Sequence, residues 1–121
     1  MNNRVVYFEI PSDEPERLMN FFEKVFGWEY EQFADDYWSA FSGNEDTQGI
    51  NGAIMKKRDQ KHTVVNTISV DNIDEYVKKI ESNGGKIVIP KFPVPSIGWV
   101  LYFTDPDGNL HGIWHEDRDL K

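Results

Sequence analysis

The sequence predicts an α+β fold made of two βαβββ modules, and three observations support this prediction. First, Val5 to Trp28 and Val65 to Lys86 have the same plan, each indicating a strand, a capped amphipathic helix, a glycine and another strand. Second, each half taken alone would leave one face of its sheet uncovered. Third, the chain has 121 residues, 39% of them hydrophobic and 14% aromatic, which suits a single core. We therefore expect one domain over residues 1–121.

The first module is predicted at about residues 4–56. Val5 to Ile10 is rich in β-branched and aromatic residues, which favours a strand, and Pro11 is expected to end it. The spacing of Asp13 and Glu16 indicates the start of a helix. Gly27 indicates its end, because glycine accepts the left-handed backbone of a helix terminus. Three antiparallel strands are predicted to follow, at residues 28–33, 37–42 and 52–56.

The second module is predicted at about residues 63–116, after a charged connection at 57–62 that lacks apolar periodicity. Its helix is expected between Asp71 and Gly85. Lys91 to Gly98 contains two prolines and is predicted to be an irregular loop at the rim, whereas Asp105 to Gly108 is typical of a tight turn. The strands of this module are predicted at residues 64–70, 86–89, 99–103 and 110–115.

Charge and composition limit the classes of partner. The net charge of -8 argues against a nucleic-acid partner, because a phosphate backbone would be repelled. The chain has no cysteine, so disulfides and thiolate chemistry are excluded and a cytoplasmic location is expected. Residues 1–4 lead directly into a strand pattern without the apolar run of a signal peptide or membrane span, so no membrane partner is expected.

Three segments together point to a known family. The run Val100 to Asn109 contains the Asp-Pro-Asp-Gly turn and lies near the C-terminal end, while Phe21 to Trp28 and Ile68 to Asn72 lie in the corresponding places of their modules. In these features the chain resembles the vicinal oxygen chelate superfamily, which includes glyoxalase I, bleomycin-resistance proteins, fosfomycin-resistance enzymes and extradiol dioxygenases. The resemblance covers nearly the whole chain. It implies a mixed, partly open barrel in which the modules surround a cleft, and it implies a homodimer.

The resemblance also assigns places for metal ligands. Metal-dependent members carry ligands such as His, Gln and Glu, two in each module, around a divalent ion that acts as a Lewis acid. Carried over by position, these places fall on Tyr7, on Val65 (or Asn66 or Thr67 in a shifted register), on the strand with Ala53 and Met55, and on Gly112. None of these is a good ligand for a hard cation. We therefore predict no metal ligands and no cofactor, while a divalent metal at a displaced site stays open.

The three histidines are the reason that a displaced site stays open. His62 lies in the charged connection and is expected to be exposed to solvent. If Gly112 faces the cleft, strand alternation turns His111 and His115 to the other face of the sheet.

Glu9 is the most informative polar residue, because period-two alternation places it beside Tyr7 on the cleft face of the first strand. A glutamate here favours a cationic or amine-bearing ligand, or could act as a general base if burial raises its pKa. It could instead form a structural ion pair or backbone hydrogen bond. Tyr7 could orient a ligand through its hydroxyl or could simply pack.

Aromatic and apolar residues are predicted to line the cleft. Trp114 is the strongest candidate among the tryptophans because it shares a strand phase with Leu110 and Gly112, whereas the phase of Trp99 is not fixed by the sequence. The core is the more usual place for each tryptophan. The predicted ligand-binding residues are Tyr7, Glu9, Met55, Leu110, Gly112, Trp114 and Trp99, and the predicted catalytic residue, if there is one, is Glu9.

Three functions stay open from the sequence. The resemblance favours a protein akin to bleomycin-resistance proteins, which binds a small, partly apolar or cationic molecule without metal or chemistry. The alternative is a divergent enzyme of lyase, isomerase or dioxygenase type that uses a displaced metal or Glu9 as a general base. A third possibility is an interaction module whose cleft is filled by its own side chains. Fold resemblance does not identify the ligand.

Overall fold

The computed structural model describes residues 3–121, and it confirms an α+β fold with two βαβββ modules. Module one contains β1 (Val5–Ser12), α1 (Pro15–Phe26), β2 (Glu29–Ala34), β3 (Tyr37–Phe41) and β4 (Gly52–Lys56). Module two contains β5 (Val65–Ser69), α2 (Ile73–Ser82), β6 (Lys86–Val94), β7 (Gly98–Thr104) and β8 (Leu110–Glu116). The chain forms two compact units, Val6–Val65 and Asn66–Lys121 with residues 3–5. The part of the prediction that concerns residues 1–2 lies outside the described residues.

The strands of module one are ordered β2-β3-β4-β1. Neighbours along the chain are antiparallel in this sheet, as predicted, and β1 runs parallel to β4 on its far side. A parallel neighbour needs a crossover connection, and α1 with the β2–β3 hairpin supplies it.

The ends of α1 follow from local backbone chemistry. Pro15 occupies the first turn, where its missing N–H costs no hydrogen bond. Glu14, rather than the predicted Asp13, precedes the helix, and its amide donates to the hydroxyl of Ser12 at 2.9 Å. At the other end Gly27 has a φ of 76°, and its amide donates to a carbonyl four residues earlier at 2.8 Å. The predicted helix end is therefore confirmed.

Aromatic contacts hold α1 against one face of the module-one sheet. The ring of Trp28 stacks on Phe22 of the helix with centroids 4.5 Å apart, and Phe8 of β1 lies 5.5 Å from the same indole. The hydroxyl of Tyr30 in β2 donates to the carbonyl of Met19 in α1 at 3.0 Å. These contacts define the α1 side of the sheet, so the side chains that alternate with Phe8 along β1 lie on the opposite face.

Module two repeats the arrangement with strand order β5-β8-β7-β6. Its core cluster is apolar and fully buried, with α2 packed on it through Tyr76, Val77 and Ile80. The residues of this cluster are Val70, Ile73, Leu101 and Ile113. The side-chain oxygen of Asn72 caps α2 by accepting from the amide of Glu75 at 3.2 Å. The apolar stripe and the helix start predicted for this module are thus confirmed.

Two strands run more than one residue past their predicted ends, and both cases involve proline; the other predicted strand ends lie within one residue of the observed ones. β6 runs on to Val94, so most of the predicted rim loop is strand and the turn to β7 is only three residues long. Prolines are tolerated because β6 is the edge of its sheet and its pairing shifts register twice. In module one, β1 continues through Pro11 to Ser12, whose carbonyl accepts from the amide of Lys57 at 2.9 Å.

The remaining connections are short or local. The predicted connection, residues 57–62, contains neither helix nor strand. The Asp105 to Gly108 turn is confirmed by a 2.9 Å bond from the Gly108 amide to the Asp105 carbonyl. Across residues 3–121, none of the helices has the length and apolar character that crossing a membrane requires.

Candidate binding site

Tyr7 and Glu9 lie on the face of the module-one sheet that α1 does not cover. They alternate with Phe8, whose ring contacts Trp28 on the α1 side. Glu9 pairs with Ala53 in the parallel β1–β4 ladder, so these two side chains point to the same face. The sequence placed Tyr7 and Glu9 together on one face by the same alternation.

The floor around Glu9 is apolar and well packed. Ala53 of β4 is 0% exposed and Met55 is 5% exposed. Met55 pairs with Tyr37 in the antiparallel β3–β4 ladder, which places Tyr37 on this face as well. A carboxylate surrounded by such residues has little water to screen its charge. Glu9 itself is only 5% exposed.

A hydrogen-bonded chain links three polar side chains of this face. The Tyr37 hydroxyl donates to Oε2 of Glu9 at 2.7 Å, and the Tyr7 and Tyr37 hydroxyl oxygens are 2.9 Å apart. We call Tyr7, Tyr37 and Glu9 the Tyr-Tyr-Glu chain. A hydrogen bond to a carboxylate is stronger than one between neutral groups, so Tyr37 holds Glu9 in one orientation.

Both phenols of the Tyr-Tyr-Glu chain keep their protons. Burial raises the pKa of Tyr37 far above its usual range, and the negative charge of Glu9 raises it further. Burial also raises the pKa of Tyr7, partly offset by the hydrogen bond with Tyr37. A second anion beside the Glu9 carboxylate would be repelled. The site therefore presents two neutral hydroxyls and one carboxyl group.

Tyr37 is the member of this site that sequence reasoning missed. It was predicted only as the first residue of a strand. Counting the ladder across the β3–β4 pair would have found it, because Tyr37 is in phase with Met55, a residue already predicted to line the cleft. The sequence lacks the register, however, since the loop of residues 42–51 between these strands does not fix it.

The predicted residues of β8 lie together on one face of the module-two sheet. Leu110 pairs with Thr104, Gly112 with Tyr102, and Trp114 with Val100 across the β7–β8 ladder. Ile113, between them in the chain, belongs to the core on the α2 side. Leu110, Gly112 and Trp114 therefore lie on the face opposite α2.

Trp99 does not share that face. It pairs with His115 in the β7–β8 ladder and packs against the core cluster beneath α2. The ammonium of Lys91 lies 4.8 Å above its ring, a cation–π contact. Because Trp99 pairs with His115, the chain neighbour of Trp114, the two tryptophans lie on opposite faces of the sheet. The sequence did not fix this register.

The prediction for His62 is wrong, because this histidine is buried with 2% exposure. Its Nδ1 accepts from the amide of Arg58 at 3.1 Å. Its Nε2 is buried and has no hydrogen-bond partner among residues 3–121. Burial lowers the pKa of His62, and the positive charge of Arg58 lowers it further.

His111 and His115 are engaged on the α2 side of module two. Nε2 of His111 lies 2.8 Å from Oδ2 of Asp105, and this hydrogen bond is the main cause that holds the pKa of Asp105 well below its usual range. Nδ1 of His115 accepts from the amide of Ile73 at the start of α2, at 3.3 Å. Both side chains thus have structural partners in the fold.

The donor set does not fit a divalent metal ion. The places that the resemblance assigns to ligands hold a phenol, aliphatic side chains (or an amide or a hydroxyl in the shifted register), a thioether and a glycine, which offer a hard cation no set of converging carboxylates or imidazoles. Within the described range 3–121, no three His, Cys, Asp or Glu side chains cluster closely enough to hold a metal ion.

Comparison with known proteins identifies the family. The sequence model of the Glyoxalase/Bleomycin resistance protein/Dioxygenase superfamily matches residues 4–113. The chain belongs to this superfamily. The resemblance seen in the sequence is thereby confirmed, and the match extends over both modules.

Individual relatives of the superfamily are distant. CFP32, a proposed glyoxylase of Mycobacterium bovis, is 24% identical over 120 residues, which cover 94% of this chain and 46% of that protein. The chain thus spans about half the length of this curated relative. A superfamily member from Vibrio splendidus has a similar structure, with a TM-score of 0.66 and 17% identity over 95% of this chain and 99% of the other.

A third similar structure is a substituted form of methylmalonyl-CoA epimerase from Streptomyces coelicolor, in complex with 2-nitronate-propionyl-CoA. It has a TM-score of 0.65 and 11% identity, covering 100% of this chain and 99% of the other. At such low identity, both structural likenesses establish the shared fold and leave the activity open.

Proposed function

We propose that this superfamily member binds a small, partly apolar organic molecule that carries a positive charge or an amine, on the face of the module-one sheet opposite α1. The observation that carries the proposal is the buried carboxylate of Glu9, which has 5% exposure and is fixed by Tyr37 above an apolar floor. A carboxylate in such surroundings interacts strongly with a cation, because little water screens it.

Apolar contact area supports the same class of ligand. Met55 supplies a flexible thioether on this face, and the ring of Phe33 lies 5.9 Å from Tyr37 in an edge-on arrangement while remaining 56% exposed. Small-molecule sites usually combine such apolar walls with a few fixed polar groups. Module one offers both elements on one sheet face.

Isothermal titration with a set of aromatic amines, quaternary ammonium compounds and neutral aromatic compounds tests the proposal. We expect the amines to bind and Glu9→Gln to weaken them about tenfold or more, the size of a charge-assisted hydrogen bond. Neutral compounds that lack an N–H group should be nearly unaffected by this substitution. Glu45→Gln, an identical change of charge in the exposed 42–51 loop, is the matched control. Failure of every amine to bind the unaltered protein would refute the proposal.

A second candidate is proton transfer with Glu9 as general base, because its carboxylate is held in one place by the Tyr37 hydroxyl at 2.7 Å. The C–H bond of a carbon acid next to a carbonyl would break, its electron pair would remain as an enolate, and the proton would move to Glu9. The epimerase of similar fold suggests acyl thioesters as the first substrates to try. Deuterium incorporation from heavy water, lost in Glu9→Gln, would support this candidate, and no incorporation across a range of thioesters would exclude it for them.

A homodimer belongs to the same proposal, on the strength of the family resemblance alone. Sedimentation equilibrium at micromolar concentration should give twice the mass of one chain. A single-chain mass at the highest attainable concentration would contradict it.

A further inference from the structure

The Tyr-Tyr-Glu chain has a direction, which follows from counting protons. A neutral phenol carries one hydroxyl proton, and a carboxylate can only accept. The Tyr37 proton is used in the 2.7 Å bond to Glu9. In the 2.9 Å hydrogen bond between the two phenols, Tyr7 must therefore be the donor and Tyr37 the acceptor. The protons of both hydroxyls point inward, toward the carboxylate.

This direction fixes what the outer end of the chain can do. The proton of Tyr7 is used, but its oxygen still has lone pairs that accept hydrogen bonds. Across residues 3–121, its hydroxyl makes no other hydrogen bond, and the residue is half-buried rather than enclosed. Hydrogen bonds in series polarise one another, so the Glu9 carboxylate makes this oxygen a better acceptor than an isolated phenol.

We propose that the Tyr7 hydroxyl oxygen is an acceptor-only subsite, and that the ligand of this face presents an N–H donor to it. This inference rests on the proposed function, because it assumes that a small molecule binds this face. It is more specific, since it states the polarity of the group recognised and names the atom that recognises it.

The same direction distinguishes binding from enolate chemistry. An enolate oxygen is stabilised by hydrogen-bond donors aimed at it. The two phenols of this face offer none, because Tyr37 donates to Glu9 and Tyr7 donates to Tyr37. The geometry of the chain thus suits recognition of a donor better than stabilisation of an anion.

Indole and benzofuran form a matched pair of probes for this subsite. They have nearly the same shape, but indole has a ring N–H where benzofuran has an acceptor oxygen. Titration followed by amide NMR shifts should show indole binding the unaltered protein about two- to tenfold more tightly, the range that one neutral hydrogen bond gives. Equal affinities, or tighter binding of benzofuran, would overturn the inference.

Substitutions at the two phenols test the direction itself. Tyr7→Phe removes the acceptor and should make the two probes equal. Tyr37→Phe releases the proton of Tyr7 to donate outward, so benzofuran should gain relative to indole. Tyr30→Phe is the matched control, because it also removes one tyrosine hydroxyl bond, to the carbonyl of Met19 on the α1 side. Its probe ratio should equal that of the unaltered protein.

The outcomes separate this inference from the proposed function. If both probes bind equally, or if Tyr37→Phe leaves the preference for indole unchanged, the face binds small molecules but Tyr7 is not its acceptor. If neither probe nor any amine binds the unaltered protein, the proposed function fails and the inference fails with it.

Discussion

Acid should destabilise this protein through His62, and the sign follows from the direction of its pKa shift. Burial lowers the pKa of His62 in the folded state, while the unfolded chain has the ordinary histidine value of about 6.5. As the pH falls below that value, the unfolded state takes up the proton more readily, so the free energy of unfolding decreases. The contribution is complete above about pH 6.5 and is lost as the pH falls toward the folded pKa.

The structural reason is that protonated His62 would bring two hydrogen-bond donors face to face. Nδ1 of His62 accepts from the Arg58 amide at 3.1 Å, and protonation would place an N–H there, facing another N–H. The ring is also 2% exposed, so the imidazolium would lose most of its hydration. Lys57 and Arg58 disfavour the charge further, whereas Asp59 favours it. One group can change the stability by at most about 1.4 kcal/mol per pH unit.

Urea unfolding at intervals between about pH 5 and about pH 8 measures this slope, above the range in which most carboxylates titrate. His62→Asn is the matched variant, since the Asn oxygen can take the place of Nδ1 as an acceptor but does not titrate. It should be less stable at every pH because it fills less volume, yet it should show a smaller slope below about pH 6.5. Identical slopes for the two proteins would refute the reasoning.

Other substitutions test the packing and the backbone. Leu101→Ala should cost about 2–5 kcal/mol in urea unfolding, because Leu101 is 0% exposed in the module-two core, whereas Val88→Ala at a 50% exposed position should cost less than about 0.5 kcal/mol. Gly98→Ala should be severely destabilising because its Cβ would overlap the backbone oxygen of His115, while Gly27→Ala meets no atom within 4 Å and should cost only the left-handed strain of about 1–2 kcal/mol. Asn72→Ala should cost about 1 kcal/mol and reduce hydrogen-exchange protection at the start of α2. The assigned contacts would be contradicted if the two variants of either matched pair lost the same stability. They would also be contradicted if Asn72→Ala left hydrogen exchange at the start of α2 unchanged.

Most of the secondary structure could be predicted because its signals are local. Gly27 ends α1 in the left-handed conformation that the sequence indicated, and β4 has the predicted bounds. The boundaries failed at prolines, where β1 runs past Pro11 and β6 extends to Val94. Whether a strand tolerates proline depends on its neighbours in the sheet, which local sequence does not show.

The candidate site was predicted in part. Alternation alone placed Tyr7 and Glu9 on the same face of β1, and the structure adds the 2.7 Å bond that connects Glu9 to Tyr37. Tyr37 could not be assigned without the β3–β4 register, and the side of Trp99 could not be assigned without the β7–β8 register. A shift of one residue in either ladder would reverse those faces.

The sequence by itself determined the repeated module and the superfamily. Each of these depends on residue identity and spacing along the chain. Only the tertiary structure decided that His62 is buried and that Tyr7, Tyr37 and Glu9 form one hydrogen-bonded chain. Burial and hydrogen bonding join residues that are distant in sequence, such as Glu9 and Tyr37, so their chemistry depends on strand register and packing.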